Sequence, residues 1–317
     1  MASKTIGRPI WMYANDWRLL RGMKDALEGL IRAKDLGIAY HDVGPYSIIL
    51  AERGAQGPLG YIVDLDCADF AANVAPDDGK QKSASTSASG TLPFLATEVL
   101  AANAVGQHFA QTFDHDAESF AYILSYAVLR RCITLAEKGV MQPEFRDAKN
   151  AGAHRLLMTE YKAIFGGASY EVLQRSRGRA GGHFNWPASI ANTPAGLSWM
   201  RVYGPKESLF DLFATLGEVQ MEVIGAHIKA VKKSSKKRLY ATAPQETPAI
   251  PPFTHPALIT FEQVKEHFDT ALQTVSQNEP EMLLQEGERP EADEENDEDG
   301  ETDEDDEDDK DDDEESG

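Results

Sequence analysis

The chain has 317 residues, 42% of them apolar, which is enough to bury a core as one large domain or two small ones. Its formal net charge of -21 is almost all local: residues 285–317 carry 22 acidic and two basic side chains, net -20, leaving -1 for residues 1–284. Two cysteines, Cys67 and Cys132, exclude a disulfide framework and a cysteine zinc site, so the expectation is reduced, intracellular thiols.

The N-terminus carries Lys4 and Arg8 but no apolar run of signal-peptide length, so secretion is not expected. From Asp16 to Lys34, apolar residues at Leu20, Met23, Leu27, Leu30 and Ile31 keep helical spacing, and the segment stops at Gly37. Ser47–Ala51 and Gly60–Leu65 are short β-branched runs on either side of the Gly/Pro-rich Arg53–Leu59, the pattern of a small hairpin. Ala68–Gly90 turns polar and serine-rich and reads as a mobile loop. Beyond it the spacing predicts helices over Glu118–Glu137, Gly152–Phe165, Ser208–Lys229 and Phe261–Val275, the last opened by Thr260 and Gln263 at capping-box spacing.

The longest apolar run, Phe120–Leu129, is about half a bilayer span and is followed by Arg130 and Arg131, so it reads as a buried core helix and no membrane association is expected. Gly178–Pro194 and Thr242–Pro256 read as connections. Between them, Lys232-Lys233-Ser234-Ser235-Lys236-Lys237-Arg238 is a basic cluster, read as a solvated helix end or, alternatively, a nuclear localisation signal. Residues 285–317 repel themselves and have no apolar periodicity, so disorder is expected there. The fold class is mainly α with a small β-hairpin and a disordered acidic C-terminal tail; the domain division is 1–280 and 281–317.

Four segments carry the chemistry: Asp42 in Tyr-His-Asp-Val-Gly-Pro-Tyr-Ser, Asp64 in Ile-Val-Asp-Leu-Asp, Glu98 in Gly-Thr-Leu-Pro-Phe-Leu-Ala-Thr-Glu, and Asp116 in Asp-Ala-Glu-Ser-Phe. Phosphoryl transfer asks a protein mainly for positioning, with a carboxylate near the attacking hydroxyl and oxygen ligands for magnesium on the phosphates. A hairpin between Asp42 and Asp64 would bring two carboxylates into one pocket from neighbouring elements. Each aspartate alone reads as a turn or cap residue; the joint context favours chemistry.

From about Pro9 to Arg177 the chain resembles the fungal-type protein kinase family, and this resemblance implies a protein kinase-like C-terminal lobe. The family's His-Arg-Asp-Ile-Ser-x-Gly-Asn-Ile, Ile-Asp-x-Asp, Gly-Thr-x-x-Phe-Met-Ala and Asp-Asp-Leu-Glu-Ser-Phe are answered by Tyr40–Ile48, Val63–Asp66, Gly90–Ala96 and Asp114–Phe120. The resemblance implies Asp42 as catalytic-loop base and Asp64 with Ser47 as magnesium ligands, using Mg2+ and ATP. Glu98 takes a structural place, paired with Arg175 or Arg177. Asp116 accepts backbone N–H groups of the catalytic loop. Lys80–Ser89 becomes the activation segment, with Ser83, Ser85, Thr86, Ser87 and Ser89 as candidate phosphosites.

Three departures fall in one loop. The family's arginine is His41, mostly uncharged at neutral pH; its serine is Gly44; its metal-binding asparagine is Ser47, a shorter and weaker magnesium ligand. Loss of one preorganised polar contact costs about 3 to 4 kcal/mol of transition-state stabilisation. Residues 1–40 contain no Gly-x-Gly-x-x-Gly loop and no Val-Ala-x-Lys strand, and Lys24 and Lys34 sit on what reads as a solvated helix face. The N-terminal lobe is therefore expected to be absent, and the chain a pseudokinase-type module or truncated kinase. The alternatives are an active Ser/Thr kinase with its N-lobe lost from the gene model, and an acidic-tailed nuclear binding protein. Partners are expected to be proteins, including basic ones reached through 285–317, in cytoplasm or nucleus; no direct nucleic-acid binding is expected.

Overall fold

The computed structural model describes residues 7–52, 56–66, 68–70, 90–104, 111–141, 148–167, 169–177, 182–239 and 259–278. The expectations placed on Cys67, on the activation segment and its five phosphosites, on Thr242–Pro256 and on the acidic tail lie outside these residues.

Strand β1 (Gly7–Pro9) leads through one 3-10 turn, Ile10–Met12, to helix α1 (Asp16–Asp35). Asn15 caps α1 by accepting the Arg18 N–H at 2.9 Å, and Arg32 and Lys34 stand in its last turn, where cations favour the helix dipole. Its apolar stripe, including Leu19, Leu20, Met23, Leu27 and Leu30, is buried. After Gly37, at φ 74°, the chain forms β2 (Ile38–Ala39), then β3 (Ile48–Ala51), β4 (Gly60–Ile62) and β5 (Asp69–Phe70).

The predicted hairpin is therefore the β3–β4 pair, but β1 adds to its free edge, giving an antiparallel sheet of order β1-β3-β4, and β2 pairs separately with β5. β1, β2 and β5, two or three residues each and outside the hairpin runs, carry too little pattern to be read from sequence. The sheet lies hard against α1: a Cβ on Gly60 would stand 2.0 Å from the Gly22 carbonyl oxygen, and one on Gly22 would stand 2.3 Å from Leu50 Cδ2. A mid-helix glycine costs about 1 kcal/mol relative to alanine, and here it permits the backbones of α1 and β4 to touch.

The remaining described residues are mainly helical: α2 (Thr97–Ala104), α3 (Phe113–Met141), α4 (Ala148–Ile164), α5 (Tyr170–Arg177), α6 (Trp186–Ala191), α7 (Pro194–Tyr203), α8 (Glu207–Leu239) and α9 (Phe261–Asn278). Helix α3 is the axis of the core. Phe120 to Leu129 are buried all round, with most of them wholly inaccessible, as an apolar run without a polar face requires. The segment Gly178–Pro194, expected to be a plain connection, contains α6; Pro187 in its first turn suits a helix start, and Trp186 anchors it by donating its indole N–H to Ser125 Oγ at 3.2 Å. Among the described residues no helix is long and apolar enough to cross a membrane.

Helix α9 closes the fold over α1. The capping box forms as the sequence predicts: Thr260 N–H donates to Gln263 Oε1 at 2.9 Å, and Gln263 N–H to Thr260 Oγ1 at 3.2 Å. Phe261, Val264, Phe268, Ala271 and Val275 are buried. Lys24 and Lys34 are not simply solvated: Lys24 pairs with Asp269, and Lys34 with Glu262 at 3.2 Å, so α9 runs antiparallel to α1. Phe268 is fully buried with its ring 6.1 Å from that of Phe120, so Phe268→Ala is expected to lower unfolding free energy by about 3–5 kcal/mol in urea titration. Lys34→Ala, which removes an exposed ion pair, is expected to change it by less than about 1 kcal/mol.

Candidate functional site

The segment Tyr40–Ser47 leaves the β2 strand and is held from below by α3. Asp116, in the first turn of α3 and 3% exposed, accepts the Tyr40 N–H on Oδ2 and the His41 N–H on Oδ1, both at 3.0 Å. Burial pushes this carboxyl up to about 6, and the two N–H donors with the nearby His115 partly oppose the rise. Tyr40, itself buried, sends its hydroxyl to the carbonyl oxygens of Val63 and Asp64. One residue thus ties the Asp42 segment to both α3 and the Asp64 turn.

Two non-glycine residues in this site adopt left-handed backbone angles, His41 at φ 66° and Asp64 at φ 67°. Such conformations cost about 1–3 kcal/mol each and persist where surrounding contacts over-determine them. At His41 those contacts are the Asp116 carboxylate on its N–H and Gln111 Nε2, 3.4 Å from its carbonyl oxygen. Gly90, at φ 136°, packs over the same carbonyl: a Cβ there would lie 3.2 Å from it and 2.5 Å from Leu95 Cδ2. The residue after it, Thr91, donates its N–H to Asp42 Oδ1 at 2.8 Å, and its hydroxyl donates to the same oxygen at 3.1 Å. Asp42 is therefore oriented through one carboxylate oxygen, which leaves Oδ2 as the oxygen that could take a proton from an incoming hydroxyl.

Ser47 lies inside this loop and is 6% exposed. Its hydroxyl accepts the Gly44 N–H at 2.8 Å and donates to the Gly44 carbonyl at 2.7 Å, while its backbone N–H bonds the same carbonyl at 3.1 Å. Its own carbonyl receives the Val63 N–H at 2.9 Å, which links the loop to the strand end before Asp64. Asp64 lies beyond β4 and is exposed, as is Asp66. The Ser47 hydroxyl is thus committed within its own turn, at both its donor and its acceptor side.

Glu98 and the arginines do not meet. Glu98, 5% exposed at the start of α2, places Oε2 3.4 Å from His115 Nε2. His115 Nδ1 accepts the Thr112 N–H at 2.8 Å, and since a backbone N–H can only donate, the ring proton sits on Nε2, facing Glu98. Arg177, fully enclosed, donates Nη2 to the Pro93 carbonyl at 3.1 Å and stacks its guanidinium 4.6 Å over the Tyr122 ring; burial lowers its pKa. Arg175 is exposed. The N-terminus of α2 is held by a different acid, Glu118, whose Oε1 accepts the Thr97 N–H at 2.8 Å and the Tyr122 hydroxyl.

Sequence reasoning thus named Asp42, Asp64, Ser47, Glu98 and Asp116, and missed Thr91, Tyr40, His115 and Glu118. All four lie within the quoted segments, Thr91 in the Gly-Thr pair and Glu118 at the Glu of Asp-Ala-Glu-Ser-Phe, but the partners of Tyr40, His115 and Glu118 stand 17 to 76 positions away, so their roles are not visible in the segments themselves.

Residues 1–128 match the family model described as fungal protein kinase. The match takes in Asp42, Asp64, Glu98 and Asp116 and ends within α3. No curated protein matches the chain.

Because the Asp116 pKa is higher in the folded protein than its ordinary 3.8, the fold binds this proton more tightly than the unfolded chain. Its contribution is therefore most stabilising at low pH and is lost as pH rises through about 6. Asp116→Asn is expected to remove this component, which amounts to at most about 3 kcal/mol between pH 4 and pH 7. Urea unfolding of both proteins across that range measures it.

Proposed function

We propose, from the premise that this chain is a fungal-type protein kinase family member through residues 1–128, that it works as a kinase-like protein-binding module with impaired phosphoryl transfer. The observation that carries this reading is the Ser47 hydroxyl, buried and closed onto Gly44 at both its donor and acceptor ends. In the family's pattern that position supplies a metal-binding amide; a hydroxyl turned back into its own loop leaves Asp64 without that companion. Gly44 removes the neighbouring polar side chain, and His41 replaces a permanent cation. Three such losses in one loop, each worth about a hundredfold to a thousandfold in rate, leave little turnover. No step through magnesium or ATP follows from this donor set.

The loop nevertheless keeps its shape. Asp116 below and Thr91 beside it hold Asp42 in place by hydrogen bonds of 2.8 to 3.1 Å. That retained scaffold supports the second reading, an active Ser/Thr kinase in which Asp42 serves as base, with Mg2+ and ATP bound beside Asp64. On the first reading the scaffold presents a fixed surface for a protein partner instead.

The two readings part in a thermal-shift assay. On the leading reading, ATP with magnesium moves the melting temperature of the full chain by less than about 1 °C, and Asp64→Asn changes nothing. A magnesium-dependent rise of several degrees that disappears in Asp64→Asn would establish the kinase instead. Gly44→Ser combined with Ser47→Asn is expected to fold, because a Cβ at Gly44 meets Thr91 Oγ1 at an ordinary 3.4 Å, and to gain magnesium-dependent stabilisation over the parent.

A further inference from the structure

The Glu98 side chain, enclosed in the first turn of α2, has one hydrogen-bond partner among the described residues. Its Oε2 lies 3.4 Å from His115 Nε2, and its Oε1 has no partner. A buried carboxylate served by a single donor depends heavily on that donor. His115 is engaged at both ring nitrogens. Nδ1 accepts the Thr112 N–H at 2.8 Å and lies 2.9 Å from the Thr112 hydroxyl, while the His115 N–H returns to the Thr112 carbonyl at 3.0 Å. The bond from the Thr112 N–H is one half of a capping box, with an imidazole where glutamate or glutamine usually stands. The ring therefore caps α3 with one nitrogen and holds α2 with the other.

The same turn of α3 reaches the Asp42 loop by two routes. Asp116 holds it directly, through the Tyr40 and His41 N–H groups. The second route passes through α2, which His115 holds at Glu98 and Glu118 holds at the Thr97 N–H. From Thr97 the chain runs back to Thr91 through the buried Ala96, Leu95 and Phe94 and the 3-10 turn Leu92–Phe94. Thr91 then closes on Asp42 Oδ1 with its N–H and its hydroxyl. The contacts make a closed circuit: α3 to the loop, the loop to Thr91, Thr91 to α2, and α2 back to α3. Within it Glu118 fixes where α2 begins, and Glu98 fixes how α2 is turned about its axis.

We propose that His115 is a positioning residue for Asp42: by holding Glu98 it sets the orientation of α2, and through Thr91 it sets the direction of the Asp42 carboxylate. The inference is independent of whether the loop transfers phosphate or presents a surface to a protein, since both readings need Asp42 held in place. Thr91 is exposed, so exchange of its amide hydrogen reports the bond to Asp42 rather than burial.

Three substitutions in the full chain separate the two duties of the ring, read by hydrogen exchange at single amides. His115→Gln keeps an acceptor for the Thr112 N–H and an N–H group toward Glu98, and is expected to leave exchange at Thr91 and His41 within about twofold of the parent. His115→Glu keeps the cap but sets a carboxylate against Glu98. Exchange at Thr91 is expected to rise about tenfold there, while His41 stays at the parent rate. His115→Ala removes both contacts and loosens the turn that carries Asp116, so Thr91 and His41 are both expected to rise about tenfold. The Val264 amide of α9, bonded to the Thr260 carbonyl at 3.0 Å, measures global opening in each variant. If His115→Ala does not fold, the Gln and Glu variants decide the question. Thr91 exchange that stays at the parent rate in His115→Glu overturns the proposal. So does a rise at Thr91 matched by an equal rise at Val264, or one that persists in His115→Gln.

Discussion

The Asp116 carboxylate is the contact on which the rest of the site depends. It sits in the first turn of the core helix α3 and receives the N–H groups of Tyr40 and His41 on its two oxygens. A buried carboxylate without donors would cost several kilocalories per mole, and here the donors are the backbone of the loop that carries Asp42. The helix needs the loop to satisfy its acid; the loop needs the acid to hold His41 at φ 66°. Because α3 is packed on all sides, the loop inherits the rigidity of the core.

From that anchor the site spreads through backbone contacts more than through side-chain pairs. Tyr40 reaches the carbonyls of Val63 and Asp64, Ser47 receives the Val63 N–H, and Thr91 locks one oxygen of Asp42. Such a framework tolerates exchange of the side chains around it. His41, Gly44 and Ser47 depart from the family's pattern, yet none of their backbone roles requires the family's side chain. Such a scaffold keeps its backbone contacts whichever side chains stand at these positions, so a match to the fungal protein kinase model and departures from the family's pattern coexist in one loop.

The ion-pair geometry elsewhere points the same way. Glu98 meets the Nε2–H of His115, and Arg177 meets a carbonyl and an aromatic face. Both groups are buried, so each must find partners within reach, and the partners nearest in space were not those suggested by the family's pattern. At the surface the opposite happens. Lys24 and Lys34, which look like solvent-facing residues of α1, are matched by carboxylates on α9, more than 200 positions along the chain.

What the sequence determined by itself was everything encoded at short range. The stripe of α1, the apolar run at the heart of α3, the capping box of α9 and the hairpin runs around Arg53–Leu59 are periodic or contiguous signals, and each became the element its spacing implied. The contact of Asp116 with the loop N–H groups was also legible, because its segment is a short motif in a fixed order. Tertiary structure alone decided the partners. The β1 and β5 pairings, the contact of Gly22 with Gly60, the turn of the Ser47 hydroxyl onto Gly44 and the choice of His115 for Glu98 depend on which groups are brought within hydrogen-bonding or van der Waals range after the chain has folded. Periodicity fixes which face of an element is buried, but a carboxylate's partner is set by distance in three dimensions. That physical difference separates what the motifs of this sequence announce from the contacts its folded site makes.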